Sequence, residues 1–380
     1  MTTLATLRAV PFFNYSGIFT SQREDLVRIF IEVSNRGSFI MQEELSAFEA
    51  HLAEFTEAKY ALGVGNATDG LHMAVRAVAI GPGDEVIISS HTMIATAAAV
   101  HFAGATPVPV ECGPDHLIDA AAAEAAITSR TRAIMPTQLN GRTCNMDALQ
   151  AIADRHGLIL LEDAAQGLGS KFKGRCAGTF GAAAAISFYP AKVLGCLGDG
   201  GAVIMNSREI HERIYQMRDH GRGTTGEIVS WGLNSRLDNL QAAFLDYQLK
   251  EYDRVIKRRR HLASLYTERL GEVAEVVLPP APDSDPDHFD IYQNFEIEAE
   301  RRDLLKTHLK ECGIGTLIQW GGQAVHQLRA LGFTESLPNT DRLFTRMLMV
   351  PMNMSLTDDD VQYVCDNIRG FYGYPALTRP

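Results

Sequence analysis

The sequence predicts an α/β chain: a large three-layer domain around a mainly parallel central sheet, then a smaller α+β domain. Three observations predict it. Short apolar strands alternate with helical patterns between residues 69 and 218. Several of those strands are unbroken apolar runs, Leu158-Ile159-Leu160-Leu161 the clearest, and a strand buried on both faces belongs between two layers of helices. A Pro-rich, acidic link, PPAPDSDPDH at 279–288, then separates a long helical pattern from a short mixed segment. At roughly 100–200 residues per domain, 380 residues allow two or three domains. The pattern favours two, residues 1–250 and 251–380.

The elements follow in order. Glu24 to Val33 carries Leu26, Val27, Ile29, Phe30 and Val33 at helical spacing, and Gln42 to Phe55 repeats it with Leu45, Phe48, Leu52 and Phe55. Strands are expected at Glu85–Ile88, Thr106–Val110, Ala133–Pro136, Leu158–Leu161, Ala184–Phe188 and Ala202–Met205. Helices are expected at Asp69–Ala79, Ala95–Phe102, Asp119–Ile127, Met146–Arg155 and Ser207–Arg218. One long helical pattern runs from Asn234 to about Leu270. Its basic cluster, Lys257-Arg258-Arg259-Arg260, reads as a solvated face. The smaller domain is expected to hold strands at Tyr292–Ile297 and Gly315–Ile318, with helices at Arg301–Glu311, Asp341–Met347 and Asp358–Phe371.

Composition excludes whole classes of function. Hydrophobic residues make up 46% and charged residues 21%, an ordinary globular balance that rules out disorder and collagen. The formal charge of −11 lacks the overall footprint of a nucleic-acid binder. The six cysteines are scattered without C-x-x-C or zinc-type Cys/His spacing, so reduced thiols and no metal site are expected. No apolar run reaches about 18 residues, and the N-terminal MTTLATLRAVPFF lacks a basic region and a long apolar core. The expectation is a cytoplasmic protein with no membrane segment.

Ligands of such sheets bind beyond the carboxyl ends of the strands, so the residues just after each strand are the ones to inspect. Gly63-Val64-Gly65-Asn66-Ala67-Thr68-Asp69-Gly70 precedes a helix and offers main-chain N–H groups and a hydroxyl to a phosphate. It is neither G-x-G-x-x-G nor a P-loop, and by itself it equally describes a tight turn capped by Thr68 or Asp69. Leu158–Leu161 runs into Glu162-Asp163-Ala164-Ala165-Gln166. The strand ending at Phe188 runs into Tyr189-Pro190-Ala191-Lys192 and a Gly-rich loop. An Asp and a Lys after successive strands suit pyridoxal phosphate. The amine forms the Schiff base, and the carboxylate pairs with the protonated pyridine nitrogen.

The segments GPGDEVI (81–87), ATAAAVHFAGATPVPV (95–110), LLEDAAQGLGSKFKG (160–174), SFYPAKVLGCLGDGGAV (187–203) and GLNSRLDNLQAA (232–243) together resemble the DegT/StrS-type sugar aminotransferases, fold-type I pyridoxal-phosphate enzymes. The resemblance runs in the family's order over roughly 12–370. It implies that Lys192 carries the cofactor in Schiff-base linkage and then moves the proton. It implies that Asp163 pairs with the ring nitrogen and that Gln166 bonds near O3′. It places Ser187 with the Ala67–Thr68 turn on the phosphate, and has Asn234 reach that phosphate from a second subunit. A homodimer with shared sites follows. The implied reaction has two half-steps with pyridoxamine phosphate between them. The first takes an amino group from an amino acid, L-glutamate being the expected donor. The second delivers it to a keto-sugar, expected to be a nucleotide-linked keto-deoxyhexose. The sugar-dehydratase branch has His in place of Lys192, so Lys192 favours transamination.

The chain departs from the family pattern at several points. Met93 stands where an aromatic residue stacks on the ring, Ala67 where Gly is common, and Val193 where Asn is usual. Gln138-Leu139-Asn140-Gly141-Arg142 replaces His-Leu-Tyr-Gly, and Trp320-Gly321-Gly322-Gln323-Ala324-Val325-His326 replaces a Tyr-Pro-x-Pro-Leu-His segment. His91, Arg142, Arg222, Arg236, Trp320 and His326 are therefore the substrate-pocket candidates, Arg236 for the donor's α-carboxylate. Tyr15 to Gly17 is placed to cover the site. The departures also keep open a keto- or aldehydo-sugar without a nucleotide, an inositol ketone, or a regulatory binding protein on the same fold. The missing G-x-G-x-x-G disfavours a Rossmann-type nucleotide binder.

Overall fold

A computed structural model describes residues 8–377. The first seven residues of the N-terminal stretch read above lie outside it. In chain order the elements are α1 (Tyr15–Ser21), α2 (Arg23–Arg36), α3 (Glu43–Thr56), β1 (Tyr60–Val64), α4 (Ala67–Ala77), β2 (Glu85–Ser89), α5 (Ile94–Phe102), β3 (Thr106–Val110), α6 (Ala120–Ala125) and β4 (Thr131–Met135). Next come α7 (Met146–His156), β5 (Ile159–Leu160), β6 (Glu162–Asp163), β7 (Lys171–Phe172), β8 (Arg175–Cys176), β9 (Ala183–Ser187), β10 (Gly201–Met205), α8 (Arg208–Arg218), α9 (Asn239–Leu249) and α10 (Tyr252–Leu270). The chain ends with β11 (Val276–Val277), β12 (His288–Phe289), β13 (Phe295–Ala299), α11 (Arg302–Glu311), α12 (Pro338–Arg346), β14 (Met347–Val350) and α13 (Asp358–Phe371).

The central sheet is mainly parallel. Strands run β3-β2-β4-β5 on one side and β6-β9-β10-β1 on the other. A parallel bridge between Thr137 and Asp163 joins the two halves. Strand β10 alone runs against its neighbours in this sheet, among the described residues. The register decides what meets at the carboxyl edge: Val64 pairs with Gly201, Gly201 with Ser187, and Asp163 with Ala185. Three loops far apart in sequence therefore open at one place. Helices on both faces bury β2, β9 and β10 and all of β4 but Arg132 (Ser187 at the rim of β9 excepted), which is why these segments are dominated by apolar residues. A second, antiparallel sheet, β11-β13-β14, packs against α10, α11 and α13 around Tyr266, Phe295, Ile297, Leu348 and Val364.

The structure corrects four local expectations. The long helix from Asn234 is two helices, α9 and α10, separated at Lys250 and Glu251; residues 234–238 precede α9 as irregular chain. Gly315–Ile318 makes a single bridge, Leu317 to Met349, rather than a strand; the strands flanking β13 are the unforeseen β11 and β14. The cluster 257–260 is not wholly a solvated face. Arg259 is buried and donates to the carbonyls of Tyr292, Gln293 and Met352, so its guanidinium replaces missing strand partners rather than meeting water. The cap of α4 is Asn66, whose Oδ1 accepts from Asp69 N at 2.8 Å, and not Thr68 or Asp69. All six cysteines are free, five of them buried. No helix among the described residues is long and apolar enough to cross a membrane.

One glycine holds the two parts of the chain in contact. Gly141 has φ +86°, and a Cβ there would meet Gln293 N at 2.5 Å. Its carbonyl accepts from Ile291 N at 2.9 Å. Gly141→Ala combines backbone strain with a main-chain clash and is expected to cost about 2–3 kcal/mol. An unchanged denaturation midpoint in urea would contradict this close approach.

Candidate active site

The strand ends assemble the site. Asp163 closes β6 and is buried, with Oδ2 accepting from Thr96 Oγ1 at 2.6 Å and Oδ1 from Ala165 N at 3.1 Å. Thr96 stands on α5, and its hydroxyl meets Thr92 Oγ1 at 2.7 Å, which in turn meets Thr137 Oγ1 at 2.8 Å. This chain of three hydroxyls, absent from the sequence reading, sets the plane of the Asp163 carboxylate. Burial raises the Asp163 pKa, against the opposing pull of Thr96, Ala165 and the charge of Lys192. A buried carboxylate with these partners still favours a cationic N–H in front of it.

Lys192 follows β9 in the turn Tyr189-Pro190-Ala191-Lys192, closed by Lys192 N to Tyr189 O at 2.8 Å. Gln293 braces this turn from the far side, accepting from Val193 N at 2.9 Å and donating to Ala191 O at 2.9 Å. Burial pushes the Lys192 amine down to about 8, partly offset by Asp163. The neutral amine, which is the nucleophile, therefore accumulates as pH rises through about 8. Borohydride trapping of pyridoxal phosphate on the apo chain is expected to speed up over that range. A trapping rate that stays flat from about pH 6.5 to 9.5 would remove the shifted amine from the account.

The end proposed for the phosphate is built from β1, α4 and β10. The first N–H groups of a helix have no partner within it, and here they belong to Ala67 and Thr68. Gly201 passes so close that a Cβ would touch Ala67 N at 2.7 Å. Ser235 Oγ accepts from Gly65 N at 3.0 Å and holds the turn from behind. Ser187, at the end of β9, is half-buried beside it. Gln166 is buried, and its Oε1 accepts from Asn140 N at 2.8 Å and Asn294 Nδ2 at 3.3 Å. Met93 is 46% exposed at the start of α5 and is not core. An amine, a cation-seeking carboxylate and a helix N-terminus thus converge at one sheet edge, and they fit a phosphorylated pyridine.

The other sequence candidates divide. Asn234 is exposed, in a segment bridged to Asp219. Arg236 and Arg222 both engage Asp219, at 2.6 and 3.4 Å. Arg142 is held by Asp290 at 2.5 Å and Asp285 at 2.8 Å through its two terminal nitrogens, so its charge is balanced within the chain. His326 is buried between Ser90 Oγ at 2.6 Å and Asp341 at 2.9 Å and pins the 325–327 turn to the loop after β2. Trp320 is partly buried against Cys112 and Phe344, and its indole N–H is buried without a partner. His91 is fully buried beside Glu296. Tyr15 and Gly17, in α1, border a cleft of about 790 Å³ that also reaches Lys192, Asn294 and Asn353. Sequence reasoning missed Thr96, Asn140, Asn294 and Gln293, because hydroxyls and amides carry no spacing signature. Asn66, one residue before the predicted turn, was readable as a cap.

A family model described as the DegT/DnrJ/EryC1/StrS aminotransferase family matches residues 20–369. The chain is 40% identical over 375 residues to a dTDP-3-amino-3,4,6-trideoxy-alpha-D-glucose transaminase of Streptomyces venezuelae, covering 97% of this chain and 98% of that protein. It is 38% identical to a "Pleiotropic regulatory protein" of Geobacillus stearothermophilus, over 97% of this chain and 100% of that one. Its fold superposes on the crystal structure of S. venezuelae DesV in complex with a ketimine intermediate with a TM-score of 0.92, at 39% identity, covering 96% of this chain and 99% of that chain. The chain is a pyridoxal-phosphate-dependent aminotransferase and belongs to the DegT/DnrJ/EryC1/StrS aminotransferase family.

Proposed function

We propose that the chain moves an amino group from L-glutamate to the keto carbon of a nucleotide-linked keto-deoxyhexose. The observation that carries this reading is the full-length likeness to a dTDP-amino-sugar transaminase, together with a buried amine and a buried carboxylate at adjoining strand ends. Pyridoxal phosphate supplies an electron sink for the negative charge that develops at the amino-bearing carbon. The residues do the rest. Lys192 attacks as the neutral amine and then carries the proton between carbons. Asp163, oriented by Thr96, keeps the ring nitrogen protonated. Ser187 and the N–H groups of Ala67 and Thr68 hold the phosphate, Gln166 bonds beside the ring, and Met93 packs on its face.

The same proposal includes a homodimer in the cytoplasm, with Asn234 completing the phosphate site of a second copy. Support for an interface comes from the exposed apolar side chains Ile228, Val229 and Trp231, the last 89% exposed, close in sequence to Asn234. A division near residue 250 is supported by the separate apolar cluster around α10 and β13, to which Val10 also contributes.

A second reading, a sugar without a nucleotide, is favoured by Arg142, whose guanidinium is neutralised by two aspartates and so is not free for a diphosphate. A glutamate-dependent assay against paired substrates, nucleotide-linked and free keto-sugars, separates the two. Formation of 2-oxoglutarate with the dTDP-linked sugar supports the first reading. Turnover of the free sugars alone replaces it with the second.

A further inference from the structure

Behind the floor of the site lies a cluster that the transamination chemistry does not use. His91 follows β2, His116 lies in the loop after β3, and Glu296 is the second residue of β13. One nitrogen of each histidine and a carboxylate oxygen of Glu296 lie within 4.8 Å of one another. His116 Nδ1 is 2.9 Å from Glu296 Oε1, and His91 Nε2 is 3.7 Å from Glu296 Oε2. In a tetrahedral zinc site with ligands at about 2.0–2.1 Å, neighbouring donor atoms stand about 3.3 Å apart. The two measured separations, each to a different oxygen of Glu296, fall on either side of that value.

The burial makes the cluster unusual. His91 is 0% exposed and Glu296 2% exposed. Neither His91 nitrogen has a hydrogen-bond partner, and neither does Glu296 Oε2. The main chain of His116 also approaches the His91 ring and favours its protonated form. Buried polar atoms are nearly always satisfied, so two such atoms that face each other, His91 Nε2 and Glu296 Oε2 at 3.7 Å, point to a group between them. The surroundings are those of metal-bound histidines. His116 turns its other nitrogen, Nε2, toward Glu298 Oε1 at 3.4 Å, an outer carboxylate that fixes the ring's orientation. Glu298 is held in turn by Arg342 at 3.0 Å and Arg346 at 3.1 Å. Asn140 Nδ2 reaches Glu296 Oε1 at 3.2 Å and fixes the inner carboxylate.

We propose that His91, His116 and Glu296 bind one divalent cation of the zinc class, tying β13 to the loops after β2 and β3. Two imidazoles and one carboxylate suit zinc, with a fourth position left for water. Binding displaces the proton that His116 shares with Glu296. The ion's place in the molecule is structural. It links the second sheet to the central one and steadies Asn140, whose main-chain N–H holds Gln166 at the cofactor site. The three ligands lie far apart in sequence, so no spacing motif announces them.

The test is metal content, which does not depend on transaminase activity. Untagged holoenzyme, supplemented with zinc chloride and freed of excess by gel filtration, is expected to retain about one zinc per chain by mass spectrometry. Dialysis against a chelator should lower the melting temperature, and zinc should restore it. His91→Asn and Glu296→Gln should each bring retained zinc near zero while circular dichroism stays unchanged. Glu298→Gln should weaken zinc affinity by about 10–100-fold. Another divalent metal at the same stoichiometry upholds the site and corrects the ion. Wild-type protein that retains no metal overturns the proposal, whether or not the variants fold. So does equal retention in wild type and both ligand variants.

Discussion

Lys192→Ala is expected to abolish transamination, with kcat falling by about 10⁴-fold or more. A positioned proton-transfer group alone contributes about 10²–10⁴-fold, and this amine is also the nucleophile. The substitution empties a buried amine position beside Asp163 and leaves the phosphate end intact, so cofactor is still expected to bind, but without resistance to dialysis. The variant also tests the shared site. Co-purified with Asn234→Ala chains, it is expected to regain activity that neither chain has alone, because one site of the mixed dimer then holds both residues. A Lys192→Ala enzyme within about tenfold of wild type would end the nucleophile assignment. A mixed dimer as inactive as its parents would end the shared site.

Asp163→Asn should lower kcat by about 10²–10³-fold, the range seen when one preorganised electrostatic partner is removed. The amide is nearly isosteric: its oxygen can still accept from Ala165 N, and its NH₂ can donate to Thr96 Oγ1, whose hydroxyl also accepts. What is lost is the charge that keeps the pyridine nitrogen protonated. Cofactor content should therefore change far less than turnover. That split distinguishes an electronic role from a packing role, since collapse of the site would lower both together. The charge also holds up the Lys192 amine against burial. Removing it should move the pH dependence of borohydride trapping to lower pH. An unshifted profile with full activity would detach Asp163 from the chemistry.

Several of these residues were legible because a doubly wound sheet makes chemistry local in sequence. Its ligands bind at strand ends, and each strand end announces itself as an apolar run that stops. Asp163 after Leu158–Leu161 and Lys192 after Ala184–Phe188 stand out for that reason. The turn at 67–68 was visible through its glycines, although the cap proved to be Asn66. The long helix at 234–270 was misread because its apolar spacing continues across Lys250 and Glu251, where only tertiary packing separates α9 from α10. Arg259 was misread because a basic run looks solvated until the carbonyls of Tyr292, Gln293 and Met352 are seen around it.

By itself, then, the sequence determined the layer architecture through local pattern and the cofactor class through its family resemblance, and that resemblance also nominated the residues proposed for the cofactor site. The tertiary structure decided which of those residues meet. Strand register, a non-local property, pairs Val64 with Gly201 and Gly201 with Ser187 and sets Asp163 beside them. Non-local packing also supplied the groups without any motif: the hydroxyl chain from Thr137 to Thr96, the amides around Gln166, and the His91–His116–Glu296 cluster. A hydroxyl or an imidazole gains its role from what burial places opposite it, and burial is a property of the folded chain.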